Sequence, residues 1–155
     1  MSYRSSLGVA LTLALAACGG GRPPSTAAAP AASAERTVQE FLRAVSDSNL
    51  TKMAQLWGSA KGPAATTREP ADFERRVLIM QAFLRGAEYR IMSNDPAPGA
   101  PDQRILQVEL KREHCDKIVP FTVLQSGGTW LVNKVDLSAA GSPGRPCDAS
   151  APTQP

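Results

Sequence analysis

The feature that most restricts the fold is a change of hydrophobic period at Gly86. Before it, apolar residues recur as on an α-helix. Val38, Phe41, Leu42 and Val45 lie at i, i+3, i+4 and i+7. Leu50, Met53, Leu56 and Trp57 repeat the pattern over a shorter stretch, as do Phe73, Val77, Met80 and Leu84. After it, the period is two: Tyr89 and Ile91; then Leu106, Val108 and Leu110; then Val119, Phe121 and Val123; then a run from Thr129 to Leu137. Helices followed by strands imply an α+β domain, with helices on one face of an antiparallel sheet.

Punctuation residues set the expected boundaries. Helix one starts near Ala34–Glu35, with Ser33 as its cap, and ends at Asp47-Ser48-Asn49. Asn49 caps helix two, and Gly58 ends it. Residues 58–68 read as loop. Pro70 suits the first turn of helix three, with Glu69 and Asp72 near its positive end and Gly86 as its stop. Asn94 to Pro101 reads as a Pro/Gly turn. Ser126-Gly127-Gly128 reads as a hairpin turn, and Pro120 suggests an edge strand or a bulge.

The N-terminus is of another kind. Arg4 precedes about eleven residues of Leu, Ala and Val with one Gly and one Thr, Leu7 to Ala17, too few for a hydrocarbon core that needs about 20. The run ends in Leu15-Ala16-Ala17-Cys18, followed by Gly19. This resembles the lipobox of bacterial lipoprotein precursors, in which the cysteine is lipidated and becomes the new N-terminus. The resemblance implies a signal peptide over residues 1–17, lipid on Cys18 and a domain anchored in the cell envelope. Two or more acyl chains hold firmly where one holds marginally. Gly19, in place of aspartate, implies the outer membrane facing the periplasm if the cell is Gram-negative. Residues 18–34, rich in Gly, Pro and Ala, read as a tether of roughly 20–24 Å r.m.s. span. Residues 35–138 are the domain, and 139–155 a Pro/Gly-rich tail.

Of 155 residues, 138 remain once the 17-residue signal is removed, enough for one domain. Arg4 leaves with the signal, so the formal charge falls from +3 to +2, too little to imply nucleic acid. An exported chain meets an oxidising compartment. With Cys18 lipidated, Cys115 and Cys147 are the two remaining thiols, and they are expected to pair and staple the tail to the sheet. His114 and Cys115 are adjacent, poor spacing for one metal ion and for a Cys/His nucleophile on a strand. No metal site or cofactor is therefore expected. Trp57, Phe83 and Trp130 are candidates to line a pocket, with core packing the more frequent role of the tryptophans. Arg75-Arg76 reads as a solvated face paired with Asp72 and Glu69. Asp136 and Glu88 are lone carboxylates without an acid–base partner.

The layout resembles the NTF2-like, or SnoaL-like, superfamily. Carrying the resemblance are the helix pair Val38–Val45 and Asn49–Trp57, the third helix feeding a strand, and the hairpin Gly127–Val135. It implies a cone: two to three N-terminal helices on a curved four-stranded antiparallel sheet, often with a pocket between them. The family includes isomerases and dehydratases as well as binding modules. No Asp/His pair here matches the family's catalytic positions. The expected role is accordingly non-enzymatic, in binding or assembly with a protein or a small apolar ligand. The competing role is a SnoaL-like enzyme, of isomerase or hydro-lyase type, acting on a small hydrophobic substrate.

Overall fold

A computed structural model of the chain describes residues 28–148. The signal segment 1–17, Cys18, the tether as far as residue 27 and the tail beyond 148 lie outside the described residues.

The described chain is α+β. Helix α1 (Ala28–Ser46) is followed by α2 (Leu50–Leu56), a two-residue hairpin of β1 (Gly58–Ser59) and β2 (Gly62–Pro63), the single turn α3 (Ala64–Thr67), and α4 (Phe73–Leu84). The sheet comes next: β3 (Glu88–Ala97), β4 (Ala100–Arg112), β5 (Cys115–Ser126) and β6 (Thr129–Val135). A 3-10 turn over Leu137–Ala140 succeeds the sheet, so helical structure is not confined to the N-terminal half. The four strands form an open antiparallel sheet in the order β3-β4-β5-β6.

Helix α1 lies across the sheet and touches all four strands. Its buried stripe is Ala34, Val38, Phe41, Leu42 and Val45, while Arg36, Gln39, Glu40 and Arg43 stay exposed. The strands supply the opposing face. Leu106 sits opposite Phe121, Val108 opposite Val119, and Val123 opposite Val132, all at zero exposure. Phe41 meets Phe121 edge-on, with ring centroids 6.4 Å apart at 74°, an arrangement suited to the ring quadrupoles. Helix α4 packs on α2, on α1 and on the 3-10 turn.

Several boundaries differ from the expected ones. Helix α1 starts at Ala28 rather than near Ala34–Glu35, so residues 28–34 are helical and not tether. The alanine run favours helix, and Pro30 falls in the first turn, where its missing N–H has no intrahelical partner to lose. Ser33 is thus inside the helix, its carbonyl accepting the Thr37 hydroxyl at 3.0 Å. The stretch 58–68 is folded, not loop: Gly58 and Gly62 approach so closely that a side chain at Gly58 would collide with the Gly62 carbonyl. Helix α4 begins at Phe73, later than Pro70 suggested. The Asp72 carboxylate does not cap it but accepts from Arg76 Nε at 2.9 Å.

The Asn94–Pro101 stretch is largely strand, with Pro98-Gly99 alone between β3 and β4. Pro120 lies on an inner strand, not an edge. It is tolerated because the ladder with β6 starts one residue later, at Phe121↔Val135. The Pro120 carbonyl accepts from Asp136 N at 3.0 Å, and no ladder donor is called for there. Two features match the sequence closely. Asn49 Oδ1 accepts from Lys52 N at 2.9 Å. Gly127 and Gly128 both take positive φ, 56° and 83°, as the tight hairpin requires.

The two faces of β5 should respond differently to truncation. Phe121→Ala is expected to cost about 3–5 kcal/mol, whereas Ile118→Ala, 55% exposed on the same strand, should stay within about 0.5 kcal/mol. Urea denaturation of both variants checks this; equal losses would contradict a one-sided core.

Candidate functional site

The space between the helices and the sheet is occupied by aliphatic and aromatic side chains. Buried polar side chains among the described residues are Thr37 and Gln81. The three residues expected to line a common pocket do not meet in one. Trp130 is buried under α1, its carbonyl accepting the Thr37 hydroxyl at 3.4 Å. Trp57 is 8% exposed and serves as a clamp: its Nε1 donates to the Asn133 carbonyl at 3.0 Å, and Asn133 Nδ2 donates back to the Gly58 carbonyl at 2.9 Å. Its edge lines a surface depression beside Lys61 and Arg76. Phe83 is half-buried and lines a different, larger cleft.

That cleft, about 740 Å³, opens at one end of the domain. Four separate segments build it: the end of α1 with Ser46 and Ser48, the end of α4 with Gln81 and Arg85, the β4–β5 turn with Arg112 and His114, and the tail over residues 142–148. The tail makes the fourth wall, and Cys115 and Cys147 are joined there, with Cα atoms 5.5 Å apart. The expected pairing is thus the one present. The tail is shaped by Gly141, at φ 80°, where any side chain would run into the Pro146 backbone. Arg145 N donates to the Ser142 carbonyl at 3.1 Å and closes the turn.

Arg112 ties these segments together. Its guanidinium donates to the Phe83 carbonyl at 2.9 Å, at the end of α4, and to the Ala140 carbonyl at 3.3 Å, at the start of the tail. Burial holds its pKa below the usual arginine value, because a partly desolvated charge is disfavoured. Gln81 Nε2 donates to Ser48 Oγ at 3.2 Å, joining α4 to the end of α1. The acids lining the cleft are Glu113, 3.9 Å from His114 Nε2, and Asp148, 3.5 Å from Arg145.

A second, smaller depression of about 390 Å³ lies among α2, α3 and α4, lined by Leu50, Ala54, Phe73 and Val77. Arg68 covers Phe73, its guanidinium carbon 4.9 Å from the ring centroid, and pairs with Glu74 at 3.5 Å. The remaining candidates take structural roles. Asp136 Oδ1 accepts from the Ser138 hydroxyl at 2.6 Å and from the Ser138 amide at 3.2 Å. The hydroxyl first, and then the amide, keeps its carboxyl below the ordinary aspartate range. It thereby caps the 3-10 turn. Arg76 pairs with Asp72 as expected, but Glu69 pairs with Lys61 at 2.8 Å. Among the described residues no three His, Cys, Asp or Glu side chains converge as metal ligands, and no helix is long and apolar enough to cross a membrane.

Comparison of the chain with protein-family models, with curated proteins and with solved structures returned no match. The cleft was not read from the sequence because its walls come from segments up to about a hundred residues apart, Ser46 to Asp148. The sequence signal that bears on it is the cysteine pair, which draws residue 147 back to residue 115.

Replacing both cysteines, Cys115→Ser with Cys147→Ser, is expected to lower stability by about 3–4 kcal/mol, the entropy of opening a loop of this length. Equilibrium urea unfolding under non-reducing conditions measures it, and adding reductant should bring the parent chain down to the variant.

Proposed function

We propose that the chain is a lipid-anchored protein of the bacterial cell envelope whose NTF2-like domain works by binding or assembly. The observation that carries the binding reading is the filled interior. Phe41, Phe121, Leu106, Val108 and Val119 occupy the place where a SnoaL-like enzyme would hold its substrate. The open space lies instead at the surface, in the cleft beneath the tail. The helix pair followed by a four-stranded antiparallel sheet agrees with the NTF2-like layout, although the sheet is open and α1 is the helix that crosses it. Anchoring rests on the Leu15-Ala16-Ala17-Cys18 box, and an exported chain is a setting in which the Cys115–Cys147 bond persists. The short segment between Cys18 and the start of α1 would hold the domain close to the headgroups, on the outer membrane facing the periplasm if the cell is Gram-negative.

Metabolic labelling with a radiolabelled fatty acid tests the anchor. Label and membrane fractionation are expected for the parent and are expected to vanish for Cys18→Ser. A variant that keeps both would overturn the reading.

A further inference from the structure

We propose that the cleft beneath the tail is a phosphate-binding site, assembled by the Cys115–Cys147 bond and floored by Arg112. The proposal deepens the binding reading and rests on it. Arg112 is the starting point. Its guanidinium is partly buried, yet no carboxylate among the described residues pairs with it; its partners are the carbonyls of Phe83 and Ala140. Two backbone carbonyls engage two of the five N–H donors that a guanidinium carries.

Two further arginines line the same cleft from other segments. Arg85 follows α4 and has no acidic partner among the described residues, and Arg145 comes from the tail. Both are exposed. Against these three cations stand Glu113 and Asp148, the latter paired with Arg145 at 3.5 Å, so the arginines and acids lining the cleft sum to one formal positive charge. The Ser46 and Ser48 side chains add hydroxyls to the lining. Three guanidiniums on separate segments suit a group whose charge is spread over several oxygens, and guanidinium forks match phosphate geometry. The volume of about 740 Å³ exceeds what a bare phosphate fills, so the phosphate is expected to be one part of a larger molecule. It belongs either to a soluble ester or to a lipid headgroup.

The disulfide makes the site conditional. The Cys115–Cys147 bond lies two residues beyond Arg145 and fastens this part of the tail to the start of β5. Opening that bond changes none of the arginines but frees this end of the tail.

The test is a titration of the ¹⁵N-labelled full chain in neutral detergent, followed by NMR of its backbone amides and arginine Nε–H groups. The probes are inorganic phosphate, glycerol 3-phosphate and monomeric dihexanoyl phosphatidylglycerol, with acetate as the singly charged control. Saturable shifts confined to Arg85, Arg112 and the residues around Arg145, stronger with the phosphates than with acetate, are expected. Tighter binding of glycerol 3-phosphate assigns a soluble ester, and tighter binding of the phosphatidylglycerol assigns a headgroup; either supports the site. Arg85→Ala with Arg145→Ala, both exposed and remote from the core, should weaken binding roughly tenfold. Reduction of the disulfide should weaken it by a similar factor while the Arg85 shift persists. Shifts that fail to saturate, or that spread equally to Arg36 and Arg43 on α1, would overturn the proposal. So would an affinity unchanged by both the double variant and reductant. Fatty-acid labelling reads the anchor and this titration reads the cleft, so failure of one leaves the other standing.

Discussion

Everything in the domain is hung on the contact between α1 and the sheet. One amphipathic helix crosses four strands, and the stripe from Ala34 to Val45 meets the alternate residues of β4, β5 and β6. Neither partner is stable alone: a single helix in water is marginal, and a bare sheet would leave a hydrophobic face wet. The edge-on pair of Phe41 and Phe121 is part of this contact. It brings together residues eighty positions apart, so the chain must be complete through β5 before the helix gains its support. The remaining helices are added on top: α2 and α4 pack on α1 and on each other, and the clamp of Trp57 with Asn133 fixes the end of α2 to β6.

The filling of this layer decides where a ligand has room. Apolar side chains close the interior, so open volume is displaced to the rim, where elements end and loops meet. Rim sites are built from the ends of elements, and those carry polar backbone groups and charged side chains. The cleft has that character: the end of α1, the end of α4, one hairpin turn and the tail. Its lining is accordingly rich in cationic and hydrogen-bonding groups, unlike the apolar depression among α2, α3 and α4.

Secondary structure was legible in the sequence to the extent that burial has a period. The stripe of Val38, Phe41, Leu42 and Val45 and the alternation of Leu106, Val108 and Leu110 are imposed by one buried face, and both are present as read. Asn49 and Gly127-Gly128 were legible because cap and turn chemistry is local. Boundaries were less so. The start of α1 turned on alanines that carry no stripe, and the hairpin at Gly58–Pro63 on a backbone contact that no pattern of side chains announces. Pro120 misled because its environment depends on where a neighbouring strand stops, which is tertiary information. Of the site, the cysteine pair could be inferred from compartment and count. The gathering of Arg85, Arg112 and Arg145 could not, since nothing in their spacing relates them.

Pro120 also steers the chain beyond β6. A proline at that register offers β6 no donor, and β6 leaves the ladder at Val135. Asp136 takes the Pro120 carbonyl with its amide and caps the 3-10 turn with its carboxylate, so the chain is redirected within two residues. From there it has eleven residues to reach Cys147. The first part of that path packs into the core as far as Ala140, which Arg112 also holds, so the strap proper runs from Gly141 to the disulfide. Lengthening or shortening it between Ser142 and Pro146 would resize the opening, whereas Ala140, just before it, is part of the packed layer. The architecture separates the part that must stay constant to fold from the part that is free to vary in what it admits.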